Sequence, residues 1–196
     1  FIMKRLLLIL ILTLSFQSWT KADDIRDFQI EGISIGDSLL GHFSEEEIKK
    51  KMDTDYRSKE FSRFENLDSN NYELYDGMQF HFKTKDRNFI IYEFSGIIVF
   101  KKKIDKCYKK KEEITKELTS LFKEADFEDH GTQKHPDDTS GKSFKTDVYF
   151  YFKTGEGVQI SCFDWSDERE REGYTDHLRI SLGTKEIIDW FINKAY

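Results

Sequence analysis

Proline is nearly missing from this chain: Pro136 is the only one in 196 residues. Alongside abundant Lys, Ile, Phe, Asp and Glu, that scarcity is a mark of AT-rich coding and points to no mechanism. Basic residues are outnumbered, 31 against 37 acidic, for a net charge of −6. A surface of that sign does not neutralise phosphate, which argues against nucleic acid as the main partner. Cysteine occurs twice, at Cys107 and Cys162, and never as Cys-x-x-Cys, so no dithiol redox motif is present. Also missing are a Gly-x-Ser-x-Gly elbow, a P-loop and a dinucleotide fingerprint.

Long apolar runs are confined to the N-terminus. Lys4 and Arg5 precede the run from Leu6 to Leu12, which Thr13 to Phe16 extend, and Thr20-Lys21-Ala22 supplies small residues for cleavage. This order of charge, apolar core and small residues predicts a secretory signal peptide over residues 1–22. Its core falls short of the roughly 20 residues that span a bilayer. No cysteine stands beside the cleavage position, so a lipid anchor is not expected, and the membrane is met only during export. The expected location is periplasmic or secreted. Loss of Lys4, Arg5 and Lys21 leaves 28 basic and 37 acidic residues, a net charge of −9. Residues 23–196 suffice for one domain with a substantial core. In an oxidising compartment Cys107 and Cys162 are expected to form a disulfide. Closing a loop of that length is worth roughly 4 kcal/mol in the chain-entropy model.

Within the domain two stretches echo each other. Phe80-x-Phe82-Lys83-Thr84 and Phe150-x-Phe152-Lys153-Thr154 match at an offset of 70, each a strand running into a polar turn and a returning strand. Strands are expected over 56–66, 72–83, 89–101, 146–153, 158–165 and 176–182, with a short one at 28–35. Ser44 with Glu47 forms a capping box for a first helix ending near Met52. Ile104, Cys107, Tyr108, Ile114, Leu118, Leu121 and Phe122 mark the apolar face of a second. A third, 184–194, starts at Thr184. The predicted class is α+β: antiparallel sheet with helices on one face, in two similar helix-plus-three-strand halves (about 28–103 and 104–183) and a closing helix.

This tandem order of helix and antiparallel strands resembles the β-lactamase inhibitory protein fold. The opening Ile-Ser-Ile-Gly-Asp-Ser-Leu-Leu is similar to the helix openings of small outer-membrane assembly lipoproteins, although Asp37 stands where those carry Met. As a whole the chain resembles small secreted proteins of AT-rich marine bacteria, and that resemblance brings no activity and no site residues with it.

Alternation sorts the side chains into two faces. Met78, Phe80, Phe82, Val148, Phe150, Phe152, Val158, Ile160, Cys162, Leu178, Ile180 and Leu182 make a core face, where Cys162 can meet Cys107. The opposite face is expected to carry Tyr75, Gln79, His81, Tyr149, Tyr151, Ser161, Phe163, Trp165, His177 and Arg179. Tyr, Trp and Arg are enriched at binding hot spots, so an open aromatic face is the expected site for a protein or small-molecule partner. Aromatics also make good cross-strand pairs, and a terminal helix can cover such a face. His130, His135, Asp137 and Asp138 are potential metal ligands on a loop at 128–138, without the rigid spacing of a zinc motif. No cofactor is expected. Together with His177 that loop supports the alternative of a hydrolase or metal-dependent enzyme. Ser161 and His177 form no triad, having neither an orienting acid nor an oxyanion device. The seven lysines of residues 101–111 read as a solvated helix face, and residues 166–173 as an exposed loop.

Overall fold

Strands joined in order by short turns pair antiparallel, and the computed structural model, which describes residues 25–196, is built that way. The expected leader lies outside the described residues. β1 (Phe61–Asn66), β2 (Gly77–Lys83) and β3 (Ile91–Val99) form one meander; β4 (Asp126–Lys134), β5 (Phe144–Tyr151), β6 (Gly157–Asp164) and β7 (His177–Gly183) form another. They join in a single open sheet of seven strands in the order β1-β2-β3-β7-β6-β5-β4. The described helices are α1 (Glu45–Lys51), α2 (Ile104–Leu121), α3 (Asp167–Arg171) and α4 (Lys185–Asn193). None is long and apolar enough to cross a membrane. The class is α+β, as expected.

One face of the sheet is the main core. Phe64, Phe80, Phe94, Leu182, Val158 and Phe150 lie in a single row across six strands, and all are buried. α1 and α2 cover this face, Ile48 and Leu118 reaching into it. Cys107 on the inner stripe of α2 bonds Cys162 of β6, their Cα atoms 6.0 Å apart, and this clamps the helix to the sheet. A disulfide on the buried side is consistent with an extracellular or periplasmic protein. Ser44 caps α1 by accepting from the Glu47 amide at 3.2 Å. Glu47 does not reach back; it accepts instead from Lys51 and Asn66, so the expected box closes on one side only.

The halves meet at the antiparallel β3–β7 pair. There β3, β2 and β1 are matched by β7, β6 and β5 going outward from the seam, with β4 added beyond β5. In that arrangement β2 corresponds to β6. The echo at an offset of 70 instead sets Phe80 of β2 on Phe150 of β5, so it marks shared hairpin construction and not the sheet's own internal relation.

Three expectations are corrected. The segment read as a loop at 128–138 is mostly β4, an edge strand whose side chains are nearly all exposed and which bulges at Gly131. The segment 166–173 contains α3, capped by Ser166, whose side chain accepts from the Arg169 amide. Tyr75 lies on the core side: its ring rests against Gly96 of β3, where a Cβ would sit 2.4 Å from it. In addition, α4 packs on the face opposite α1 and α2, where Trp190 meets Phe61 and Tyr56.

Candidate functional site

The register lays out the second face row by row. Glu65, Gln79, Ser95, Ser181, Gln159, Tyr149 and Glu128 are paired in sequence across all seven strands, a polar line from edge to edge. The next row toward the chain's C-terminal end runs Arg63, His81, Glu93, Gly183, Gly157, Tyr151 and Asp126, and α4 lies over it. On the other side come Ile97, Arg179, Ser161 and Asp147. Beyond them stand His177, Phe163 and Lys145.

Two aromatic banks flank this polar strip. On one side Phe191 of α4 stands 5.1 Å from the His81 ring. On the other, His135 packs 4.3 Å from Trp165, which packs 4.5 Å from Tyr174. Phe163 stacks on His177 at 4.5 Å. The sequence reading put Phe163 and Trp165 on an open aromatic face; both are only 8 % exposed, because the 135–143 segment and α3 close over them. Tyr149 and Tyr151 stack on each other at 5.6 Å, and these two, like Gln159, Arg179 and Ser181, are half-buried and still meet solvent. The face is open at a polar centre and closed at its aromatic ends.

Arg179 occupies that centre. Its Nη1 donates to Gln79 Oε1 across a long 3.4 Å, and the guanidinium lies 5.0 Å over the Phe163 ring. Its Nε is buried without a partner, and no described carboxylate forms an ion pair with it. Burial presses its pKa below the ordinary guanidinium value, while Glu93 and Glu65 pull the other way. Those two carboxylates are engaged elsewhere: Glu65 accepts from Gln79, and Glu93 from His81 and Ser95.

Beside Arg179 runs a polar chain that the sequence reading missed apart from His81. His81 Nδ1 donates to Glu93 at 2.5 Å, which leaves Nε2 to accept from Tyr56 Oη at 2.7 Å. Ser95 donates to the other Glu93 oxygen at 2.5 Å and takes a bond from Ser181 at 2.7 Å. Every member is paired, so the chain is a buried brace that holds Tyr56 under α4. The available signal was a lone Glu in the apolar strand Ile-Tyr-Glu-Phe-Ser-Gly-Ile, opposite a His.

The chain matches no protein-family model, and neither curated proteins nor solved structures yield a match.

The remaining candidates are dispersed. His130 sits on exposed β4 and pairs with Glu128 at 2.9 Å. His135 Nδ1 accepts from the Asp137 amide, and burial lowers its pKa. Asp138 closes the 138–143 turn; bonds from Ser140 and Ser143 hold its carboxyl well below the usual carboxylate range. No three His, Cys, Asp or Glu side chains among the described residues converge as a metal site. His177 Nδ1 bonds the Thr175 carbonyl at 2.8 Å, while its buried Nε2 is unpartnered. Burial, then Arg179, lowers the His177 pKa to about 3, so the ring is neutral.

Proposed function

We propose that this is an exported, non-enzymatic binding protein that takes an anionic group on the polar strip centred on Arg179. The observation that carries the reading is the guanidinium itself: half-buried, outside any ion pair, with one long hydrogen bond and a buried donor that bonds nothing. Buried charges are ordinarily paired, and a buried donor without an acceptor costs about 1–3 kcal/mol. A carboxylate or phosphate group brings two acceptor oxygens, and a guanidinium fork binds such groups at two points. Tyr149, Tyr151 and Gln159 stand along the same strip and offer contact area and orientation. The alternative of an enzyme on His130, His135 and His177 has dispersed side chains behind it, as described above.

The test is a thermal-shift and calorimetric series with acetate, benzoate, succinate and inorganic phosphate on the wild type and on Arg179→Gln. The expected result is that at least one anion raises the wild-type melting temperature and leaves the variant unmoved. No shift with any anion, or equal shifts in both proteins, overturns the reading.

A further inference from the structure

On the core side of the sheet, away from Arg179, α2 does not seal against the strands along its C-terminal half. A cavity of about 290 Å³ opens between that half of the helix, the segment 28–30 and β7. Its depth is apolar: Leu118, Phe122, Val158, Ile180 and Leu182 line it and are all buried. Its mouth is different. Gln29, Glu117, Ser120 and Leu121 stand there exposed, and Glu117 is the one charged residue in the lining. The acid side chains one turn back are occupied, Glu112 by Lys116 and Glu113 by Lys110. Glu117 has no basic partner among the described residues.

We propose that this cleft binds a single-chain amphiphile, its aliphatic tail against Leu118 and Ile180 and a cationic head at Glu117. Small-molecule sites are concave and mostly apolar with a few polar groups at set places, and this cleft is lined in that way. An apolar cavity of about 150 Å³ stays dry and takes benzene. Twice that volume suits a chain of roughly ten carbons. The tail gains by leaving water, whatever its head; the head is selected at the rim. A carboxylate head would meet Glu117 as a like charge, and an ammonium head as an opposite one.

The probes are decyltrimethylammonium and decanoate, each below its micelle concentration, and tetramethylammonium as a head without a tail, titrated calorimetrically into the purified protein. The expected result is saturable binding of decyltrimethylammonium, roughly five-fold weaker binding of decanoate as suits an exposed charge, and none of tetramethylammonium. Glu117→Lys changes an exposed side chain and leaves the core alone; it is expected to reverse the order of the two chains. Leu118→Trp, which fills the cleft, is expected to abolish both. Absence of saturable binding by either chain in the wild type, or an order of preference unchanged by Glu117→Lys, overturns the proposal. So does a dissociation constant that varies with protein concentration, which places a second copy of the chain in the cleft.

Discussion

Gly157 and Gly183 are paired directly across β6 and β7, and α4 lies on the pair. A Cβ on Gly157 would come within 3.3 Å of Ile188, and one on Gly183 within 3.3 Å of Ile187. The absent side chains are what let the helix reach the sheet. Gly157→Val and Gly183→Val are therefore each expected to destabilise the fold by about 1–3 kcal/mol through overpacking. Urea midpoints measure this, and a shift in tryptophan emission should accompany it, since Trp190 is on the displaced helix.

The brace beneath that helix should be sensitive to one atom. Tyr56→Phe removes the hydroxyl that meets His81 Nε2 and leaves a buried acceptor unpaired. A loss of about 1–3 kcal/mol is expected. Glu93→Gln leaves one acceptor oxygen where His81 and Ser95 each use one, so one of the two donors loses its partner, and a loss of similar size is expected in the same urea series.

Arg179 should behave in the opposite sense. Replacing an unpaired, partly buried cation by a chain of similar length removes a desolvation cost, so Arg179→Met is expected to leave stability unchanged or raise it by about 1 kcal/mol. The same variant should lose the anion response. A marked fall in the urea midpoint would show that the guanidinium serves the fold.

Acid should weaken the protein through His177. The fold holds this ring neutral, with a pKa of about 3 against 6.5 for an ordinary histidine. The unfolded chain thus binds a proton that the folded chain refuses, and stability falls as pH drops from about 6.5 toward 3. One such group gives a slope of up to about 1.4 kcal/mol per pH unit. His177→Asn should flatten the curve between pH 6.5 and 4.5, a window above the range in which Asp138 takes up its proton. An identical slope in the variant assigns the acid sensitivity elsewhere.

Reduction should loosen α2. Loss of the Cys107–Cys162 bond, by dithiothreitol or by replacing both residues with Ala, is expected to cost about 4 kcal/mol. A lowered melting temperature with an unchanged far-ultraviolet spectrum in native buffer is the expected signature.

What the sequence made legible follows from periodicity. Cys107 falls on a stripe of period near 3.6 and Cys162 on one of period two, and each pattern alone points its cysteine inward; their pairing was readable for that reason. β4 was not, because an edge strand exposed on both faces carries no alternation to detect. α3 is five residues long, too short to show a stripe. The site was half legible. Alternation put His81, Arg179, Phe163 and Trp165 on one face correctly, but alternation reports which way a side chain points and not what later covers it. Phe163 and Trp165 are closed by segments distant from them in the chain, and the burial of Glu93 depends on His81 in a neighbouring strand.

The seam between β3 and β7 has a kinetic meaning. Every other strand pair in the sheet joins neighbours along the chain, whereas Ser95 and Ser181 are 86 residues apart. Loop-closure entropy makes such a contact expensive until both sides are ordered. Two locally formed meanders that dock late along one seam are the expected order of events, and substitutions at Ser95 or Gly96 should act mainly by speeding unfolding, leaving the folding rate nearly unchanged.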